Sequence, residues 1–255
     1  MTVYLITAAS GAGLVIIAAL LFRRLRSATD DDLLTGATTS HTGSMLSALF
    51  LLAFAIAIVV PWTTTDAARL NTYTESQAIV ESAWSGMDLP AAQSTRIRTE
   101  LLDYAQFVRT QEWRLMADGK LSPDGWTRLE QLRREVAAFP AKGRDAKDAQ
   151  AAVLDDIGDI TSARRQRAMD AKASPPPGLM VVTLLTGLIV LLFPLLAGAR
   201  PRGMSIVPLA LMAALLGVGM YLCVDISRAF AGGLAVKPDA FTTAIAELQR
   251  IPGSG

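Results

Sequence analysis

The stretch "MLSALFLLAFAIAIVVPW" at residues 45–62 decides the fold, because it runs for eighteen residues without one charged side chain. An α-helix rises 1.5 Å per residue, so a run of about this length crosses a hydrocarbon core of roughly 30 Å. Three further runs share this character, at 3–22, 178–198 and 204–224. Buried helices of a soluble core would carry polar stripes, and none of the four runs does. The sequence therefore predicts four transmembrane helices.

The composition agrees with a membrane protein and excludes several other classes. Of the 255 residues 51% are hydrophobic and only 18% are charged, whereas an ordinary soluble domain is about a quarter charged. The net charge of +1 gives no field that would recruit nucleic acid. Cys223 is the only cysteine and His41 the only histidine, which rules out an intrachain disulfide and a zinc site built from cysteines. We expect a multi-pass protein of the cell membrane with no cofactor, no metal and no nucleic-acid partner.

The four runs divide the chain into two hairpins and a long insert. The predicted domains are a first transmembrane hairpin (1–62), a helical extramembrane domain (63–177), a second hairpin (178–224) and an interfacial C-terminal tail (225–255). No stretch alternates apolar and polar residues for long enough to form a strand. The predicted fold class is all-α, with the helical insert between spans 2 and 3.

The insert shows apolar residues at helical spacing. One face of its first long helix carries Ile97, Leu101, Ala105, Val108 and Leu115. These stripes predict helices that pack on one another. The charged stretches on the opposite faces, "EQLRRE" (130–135) and "SARRQR" (162–167), are interpreted as solvated faces with i,i+4 ion pairs.

Two further helices of the insert have recognisable ends. Ser122 followed by Pro123 is a start signal, since serine caps a helix and proline suits its first turn. A later helix runs through Val153 and Ile157 and must end before "SPPPG" (174–178), because proline cannot continue it.

Membrane orientation follows from the basic residues of the short links. Three arginines follow the first span (Arg23, Arg24 and Arg26), and Arg200 and Arg202 join the third span to the fourth. Short basic loops stay in the cytoplasm, whereas long domains contribute little to orientation. This places the insert and both termini outside the cytoplasm. Four basic residues near the end of the insert argue the other way, namely Arg164, Arg165, Arg167 and Lys172.

The sequence offers little for catalysis or ion-coupled transport. A hydrolytic or redox enzyme needs a nucleophile with its base, a metal cluster or a cofactor motif. No GxxxxGK[ST], GxGxxG or GxSxG pattern is present, and the predicted spans hold no ionisable residue at membrane depth. We expect a protein that is not an enzyme.

The second span carries one notable stripe. Phe50, Phe54 and Ile58 recur every four residues. Around the axis of an oligomer such a column would form a hydrophobic constriction that gates by dewetting. The alternative is ordinary packing against lipid or neighbouring helices.

Several motifs, in this order and spacing, resemble the bestrophin-like domain family of bacterial integral membrane proteins. The resemblance covers nearly the whole chain and rests on five features: His41, Trp62, Glu75 with Ala78, "DYAQFVRTQEW" (103–113) and "DISRAFAGGLAVKPDAF" (225–241). The last stretch departs from the family pattern at Ser227, Arg228 and Ala229, where that pattern has Arg-Pro. The family's name implies kinship with bestrophins, pentameric anion channels with a hydrophobic neck on the second span. Most of a bestrophin outside the membrane is cytosolic, which opposes the orientation inferred above.

Asp225 stands where the fourth span ends. A carboxylate at a helix C-terminus opposes the helix dipole by about 0.3–1 kcal/mol, which a pair with Arg228 would offset. We interpret Asp225, Arg228 and Phe230 as an interfacial anchor that ends the helix and directs the tail along the membrane or under the insert. The alternative is an ion-binding ring at a pore mouth.

Three classes of function remain open. The stripe, the uncharged spans and the family resemblance favour an oligomeric channel-like protein for anions. The lack of a chemical site and the small residues on the spans favour a non-catalytic accessory or assembly subunit of a membrane complex. A sensor is a third class, but the sequence has no cytoplasmic output module. The expected partners are the lipid bilayer and either further copies of the chain or other membrane proteins.

Overall fold

The computed structural model describes residues 37–174, 177–196 and 206–252, together with positions 6, 9, 10, 13 and 17. Every regular element in these ranges is helical, which confirms the all-α prediction. The helices are α1 (Ala37–Ser85), α2 (Ala91–Phe107), α3 (Trp113–Met116), α4 (Pro123–Ala138), α5 (Arg144–Lys172), α6 (Pro177–Leu196), α7 (Ile206–Asp225) and α8 (Asp239–Arg250).

The four-span prediction is met only in part. Among the described residues two helices, α1 and α7, are long and apolar enough to cross a membrane. The third predicted span lies on α6, whose apolar stretch Val181–Phe193 is shorter than a full span. The first predicted span, at 3–22, lies outside the described residues except for the five single positions. The two long apolar helices are consistent with a membrane protein.

The chain forms two compact units. We call Met1–Trp62 with Ser174–Ser227 the span unit, and Thr63–Ala173 with Arg228–Gly255 the helical unit. The first part of α1 belongs to the span unit and the rest to the helical unit. The helical unit therefore contains the predicted extramembrane domain up to residue 173 and most of the predicted tail.

The core of the helical unit follows the predicted stripes up to Val108. Ile97, Leu101 and Ala105 are buried, but Leu115, which the stripe also included, is 40% exposed. The reason is a π-helical turn at Val108–Glu112 between α2 and α3. A π turn adds a residue to the helical repeat, so the buried position beyond it is Met116 rather than Leu115. Glu112 lies one turn after Val108 on the same stripe and is also buried.

Both predicted helix ends in the helical unit are confirmed. The Ser122 side chain accepts a hydrogen bond from the backbone N–H of Asp124 at 3.2 Å, with Pro123 at the first position of α4. Helix α5 ends at Lys172, before the prolines, and buries Val153 and Ile157 completely. Proline has no backbone N–H to donate, so the helix cannot pass through that stretch.

The C-terminal segment packs into the helical unit. Helix α8 is amphipathic and lies against α2, with Phe241, Ile245 and Leu248 in the same core as Ile97 and Leu101. The Arg98 guanidinium donates to the backbone oxygen of Ile251, just after the end of α8. The apolar face of this helix is thus buried in protein.

Candidate functional site: a buried ion network

The structure places the candidate constriction among the helices of a single chain. Phe50 is 6% exposed and stacks on Phe54 with ring centroids 5.4 Å apart. A side chain added at Gly187 of α6 would meet the Phe50 ring at 3.0 Å, and one at Gly219 of α7 would overlap Phe54. Ile58 is half-buried. Glycines at these two positions let α6 and α7 approach the rings closely, so Phe50 and Phe54 contact helices of the same chain. The hydrophobic constriction stays a prediction.

The residues of the candidate anchor fall in different units. Asp225 ends α7 in the span unit, is 8% exposed, and accepts a hydrogen bond from the Tyr221 hydroxyl at 3.5 Å. Arg228 and Phe230 belong to the helical unit. The Phe230 ring is buried edge-on against Trp113, with centroids 5.5 Å apart, and has little surface left for a membrane interface. The pairing of Asp225 with Arg228 stays a prediction.

The centre of the helical unit instead holds a network of charges. Arg164 on α5 donates two hydrogen bonds to Glu112 of the π turn, at 2.7 Å from Nη1 to Oε1 and 2.5 Å from Nη2 to Oε2. The Ser122 backbone joins the same pair, since its oxygen accepts from Arg164 Nη2 at 2.9 Å and its N–H donates to Glu112 at 3.0 Å. The side chains of both charged residues are completely buried. This bidentate geometry is the strongest form of arginine–carboxylate contact.

A second pair continues the network one helical turn further along α5. Arg167 donates to Glu75 of α1 at 2.6 Å from Nε and 3.0 Å from Nη2. Its Nη2 also lies 2.8 Å from Glu112, so Arg167 bridges both carboxylates. The Tyr104 hydroxyl on α2 donates to Glu75 at 2.6 Å and accepts from Arg164 at 3.2 Å. The network therefore joins α1, α2, the π turn and α5.

Aromatic and sulfur groups surround the two guanidinium groups. Arg164 lies 4.9 Å from the centroid of Trp126, and Arg167 lies 5.4 Å from that of Phe241. Arg167 Nη1 also approaches the Met116 sulfur at 2.9 Å. Such contacts suit arginine, whose planar and weakly hydrated cation stacks on aromatic faces. They complete a shell that separates the charges from water.

The protonation states follow from these neighbours. Burial acts to lower the pKa of Arg167, but the charge and hydrogen bonds of Glu75 outweigh it and raise this pKa above its usual value. For Arg164 burial again acts to lower the pKa, and Tyr104 and Glu112 raise it on balance. Burial and the Glu75 charge raise the pKa of Tyr104 well above its ordinary range. At neutral pH both arginines are charged and the phenol keeps its proton.

The network is a structural centre rather than a substrate site. Two cations balance two carboxylates, and the side chains concerned are at most 1% exposed, so no substrate reaches them. Removing ions from water costs several kcal/mol each, and only close pairing with further hydrogen bonds offsets that cost. Nearly every polar atom here has a partner, the exception being Arg164 Nε. The arrangement fixes four segments of the chain in one relative geometry.

The interpretation of "SARRQR" as a solvated face is wrong for two of its arginines. Arg164 and Arg167 are completely buried, whereas Arg165 is exposed. The spacing contained a signal for this, because both arginines continue the buried stripe that runs through Ile157 and Ile160. A long cation at a core position requires a buried anion. Glu75 and Glu112 supply it. Both lie in stretches that carried the family resemblance, and Glu112 is one helical turn after Val108 on the predicted stripe, but the sequence did not show which cations they would meet.

Three of the stretches that carried the family resemblance contribute to this network or pack beside it, whereas His41 and Trp62 lie on α1 in the span unit. Glu75, Tyr104 and Glu112 are members of it, and Trp113 lies beside it, against the rings of Phe230 and Phe241. The Trp113 indole N–H donates to the backbone oxygen of Val236 at 3.2 Å. Motif residues that lie far apart in the sequence thus form one continuous interior.

Comparison with known proteins gives one match. The family model of the Bestrophin-like domain matches residues 8–241. No curated protein matches the chain, and no solved structure does so either. Because the match spans most of the chain, the protein belongs to the Bestrophin-like domain family.

Proposed function

We propose that the protein is a multi-pass membrane protein that assembles into a channel-like oligomer for anions. The observation that carries this proposal is the family match over residues 8–241. The exposed apolar side chains of α1, α6 and α7 support it, including Leu52, Val182 and Leu211. Such surfaces need either lipid or neighbouring subunits around them. Since the network is closed to substrates and the sequence has no catalytic motif, we propose no enzymatic role.

In this proposal the helical unit is a rigid body and the ions pass elsewhere. Buried charges joined by several hydrogen bonds fix a single arrangement of their helices, which suits a scaffold that holds subunits in register. The Phe50–Phe54 stripe contributes packing within each chain, so a conducting path would use the exposed face of α1 that carries Leu52, Ile56 and Val59.

A second candidate is a non-catalytic accessory or assembly subunit. It is favoured by the position of Phe50 and Phe54, which pack against Gly187 and Gly219 of the same chain. Its expected partners are other membrane proteins. These proteins, and not further copies of the chain, would cover the exposed apolar faces.

Native mass determination and ion flux separate these candidates. The full-length protein, purified in mild detergent, is expected to give one defined homo-oligomer and to raise chloride flux across reconstituted vesicles. Empty vesicles and vesicles with heat-unfolded protein are the controls. The accessory role would be favoured by a monomer that conducts no ions. It would also be favoured if the protein were purified only in complex with a different polypeptide.

We further propose that the insert and both termini lie outside the cytoplasm. The support for this proposal is the basic residues of the short links, with Arg200 and Arg202 between the third and fourth predicted spans. The test uses a variant with Cys223→Ala and a single new cysteine. An impermeant thiol reagent applied to intact cells should label Asp124→Cys and leave Thr38→Cys unlabelled. The reverse pattern would place the helical unit in the cytoplasm, as in bestrophins.

A further inference from the structure

The helical unit has a strongly uneven distribution of charge. The chain passes between the two units at three points, 62/63, 173/174 and 227/228. The ten residues of the helical unit nearest each point, 63–72, 164–173 and 228–237, contain seven basic and two acidic residues. The rest of that unit contains twelve basic and seventeen acidic residues. A unit that is neutral as a whole therefore has a basic region and an acidic remainder.

These three segments meet in space. Ala68, Ala171 and Val236, one from each segment, belong to or pack against a single buried cluster that also holds Phe230. The Asn71 amide donates to Asp170 at 2.8 Å and ties the first segment to the second. The segments thus form one continuous part of the helical unit, and we call its exposed face the crossing surface.

The crossing surface presents cations to solvent. Five basic side chains are exposed, namely Arg69, Arg165, Lys172, Arg228 and Lys237. The acidic residues do not balance them, since Asp66 alone is exposed and Asp170 is buried against Asn71 and Gln166. The two remaining arginines of these segments are those of the buried network and contribute no surface charge.

Apolar side chains lie among these cations. In the helical unit five large apolar side chains are exposed, and Leu70, Met169 and Leu234 fall in the three segments. Leu70 follows Arg69 directly, so charged and apolar groups alternate on the surface. This mixture is typical of protein surfaces at the boundary of a bilayer, where cations meet phosphate and apolar side chains enter the headgroup region.

We propose that the crossing surface binds the anionic headgroups of bilayer phospholipids. Each lysine or arginine near an anionic membrane adds a favourable interaction with it, and five exposed cations against one exposed acid give a clear preference for anionic over zwitterionic lipid. The apolar side chains select a lipid rather than a free phosphate, since an inorganic anion gains nothing from them. The proposal is independent of whether the protein conducts ions.

The test measures how many lipid molecules the full-length protein retains. Protein freed of lipid in a neutral detergent is mixed with phosphatidylglycerol or phosphatidylcholine and examined by native mass spectrometry. The triple variant Arg69→Gln, Arg165→Gln, Lys172→Gln is compared with Arg133→Gln, Arg134→Gln, Lys142→Gln, which removes the same charge from exposed positions outside the crossing surface. The wild type should prefer phosphatidylglycerol by about tenfold or more. The first triple variant should lose most of this preference and the second should keep it.

Three results would overturn the proposal: no lipid preference in the wild type, equal loss in both triple variants, or full retention in the first. Competition by glycerol phosphate at the same concentration as the lipid would also overturn it, because it would show a site for free phosphate. Arg69→Lys with Arg165→Lys keeps the charge and must keep the preference. It therefore distinguishes lost binding from lost folding.

Discussion

The two units of this protein use charge in opposite ways. None of the four apolar runs holds a charged side chain, and the helices of the span unit pack by placing phenyl rings against glycine. The helical unit buries two arginines and two glutamates at its centre, and Asp170 is its one other charged residue that is buried among those described. On the proposal that the span unit lies in a membrane, the difference follows from the surroundings. Lipid offers no water to solvate an ion and no hydrophobic drive between helices, so fit decides packing there.

The helical unit can hold buried ions because each one has its partner built into the fold. Interactions of this kind are directional, so a change at one partner leaves a specific group unpaired. The packing of the span unit is nondirectional and depends on volume. Four changes, from the largest expected effect to the smallest, test this contrast.

Arg167→Gln should have the largest effect. It leaves Glu75 and Glu112 buried without their shared cation, and breaking a buried pair costs about 3–5 kcal/mol. Urea unfolding in mild detergent measures the loss of stability. The neighbouring Arg165→Gln is the matched control, because Arg165 is exposed and its loss should change stability by less than about 0.5 kcal/mol. Equal effects from the two variants would show that the network contributes nothing specific.

The same contrast explains which parts of the structure could be predicted from the sequence. Helix positions, the Ser122 cap and the end of α5 before the prolines follow from local rules, and all three are confirmed. The burial of Arg164 and Arg167 does not follow from local rules, because their partners are 52 and 92 residues away. A charge pattern on one helix cannot show whether a distant carboxylate will meet it.

The π turn was missed for a related reason. Residues 91–116 read as one uninterrupted helix, and nothing in the local sequence marks the extra residue. The turn ends at Glu112, whose carboxylate pairs with Arg164 and Arg167. Its cost in helix geometry is offset by tertiary contacts, which only the whole fold supplies.

Replacement of Phe50, Phe54 and Ile58 by alanine tests the span unit. If the stripe packs within the chain, we expect a stability loss of roughly 2–4 kcal/mol and no ion leak. This is less than the same change in a water-soluble core, since lipid solvates apolar groups as well as protein does. A gating stripe would instead give a stable oligomer with raised leak across reconstituted vesicles. Ion flux from the intact triple variant would contradict the packing interpretation.

Gly125→Ala should lower the stability by an intermediate amount, and its control variant should raise the stability. A side chain at Gly125 would overlap the Arg164 guanidinium, which is held by Glu112 and cannot move away. Overpacking of this kind costs about 1–3 kcal/mol. Gly158 also lies inside a helix, but nothing approaches it within 4 Å. Gly158→Ala should therefore stabilise the helical unit by about 0.5–1 kcal/mol. Thermal unfolding of both variants gives the comparison.

The smallest effect belongs to an ion pair at the surface of the helical unit. Glu135 on α4 lies 2.8 Å from Arg96 and accepts from Gln131 at 3.1 Å, but the Arg96 side chain is 65% exposed. The hydrogen bond from Gln131 lowers the pKa of Glu135 below its usual value. Slight burial acts to raise this pKa, and Arg96 acts to lower it. A lowered pKa in the folded state means that Glu135 stabilises the protein above the unfolded pKa of about 4.3. That contribution is lost as the pH falls through the folded pKa.

Glu135→Gln should consequently cost less than about 1 kcal/mol at pH 7, and its difference from wild type should shrink as the pH falls below 4.3 or as salt is added. The exposed Glu130→Gln on the same helix is the control and should show neither dependence. Urea unfolding midpoints at pH 7 and in acid, each with and without salt, measure the dependence on pH and on salt. A salt concentration of about 0.5 M is enough to screen exposed charges. The Arg167→Gln loss should persist in salt, because water and ions do not reach the network. If salt reduced the stability losses of Arg167→Gln and Glu135→Gln by the same fraction, the buried and the exposed ion pairs would respond to solvent alike. The contrast between buried and exposed charges would then be wrong.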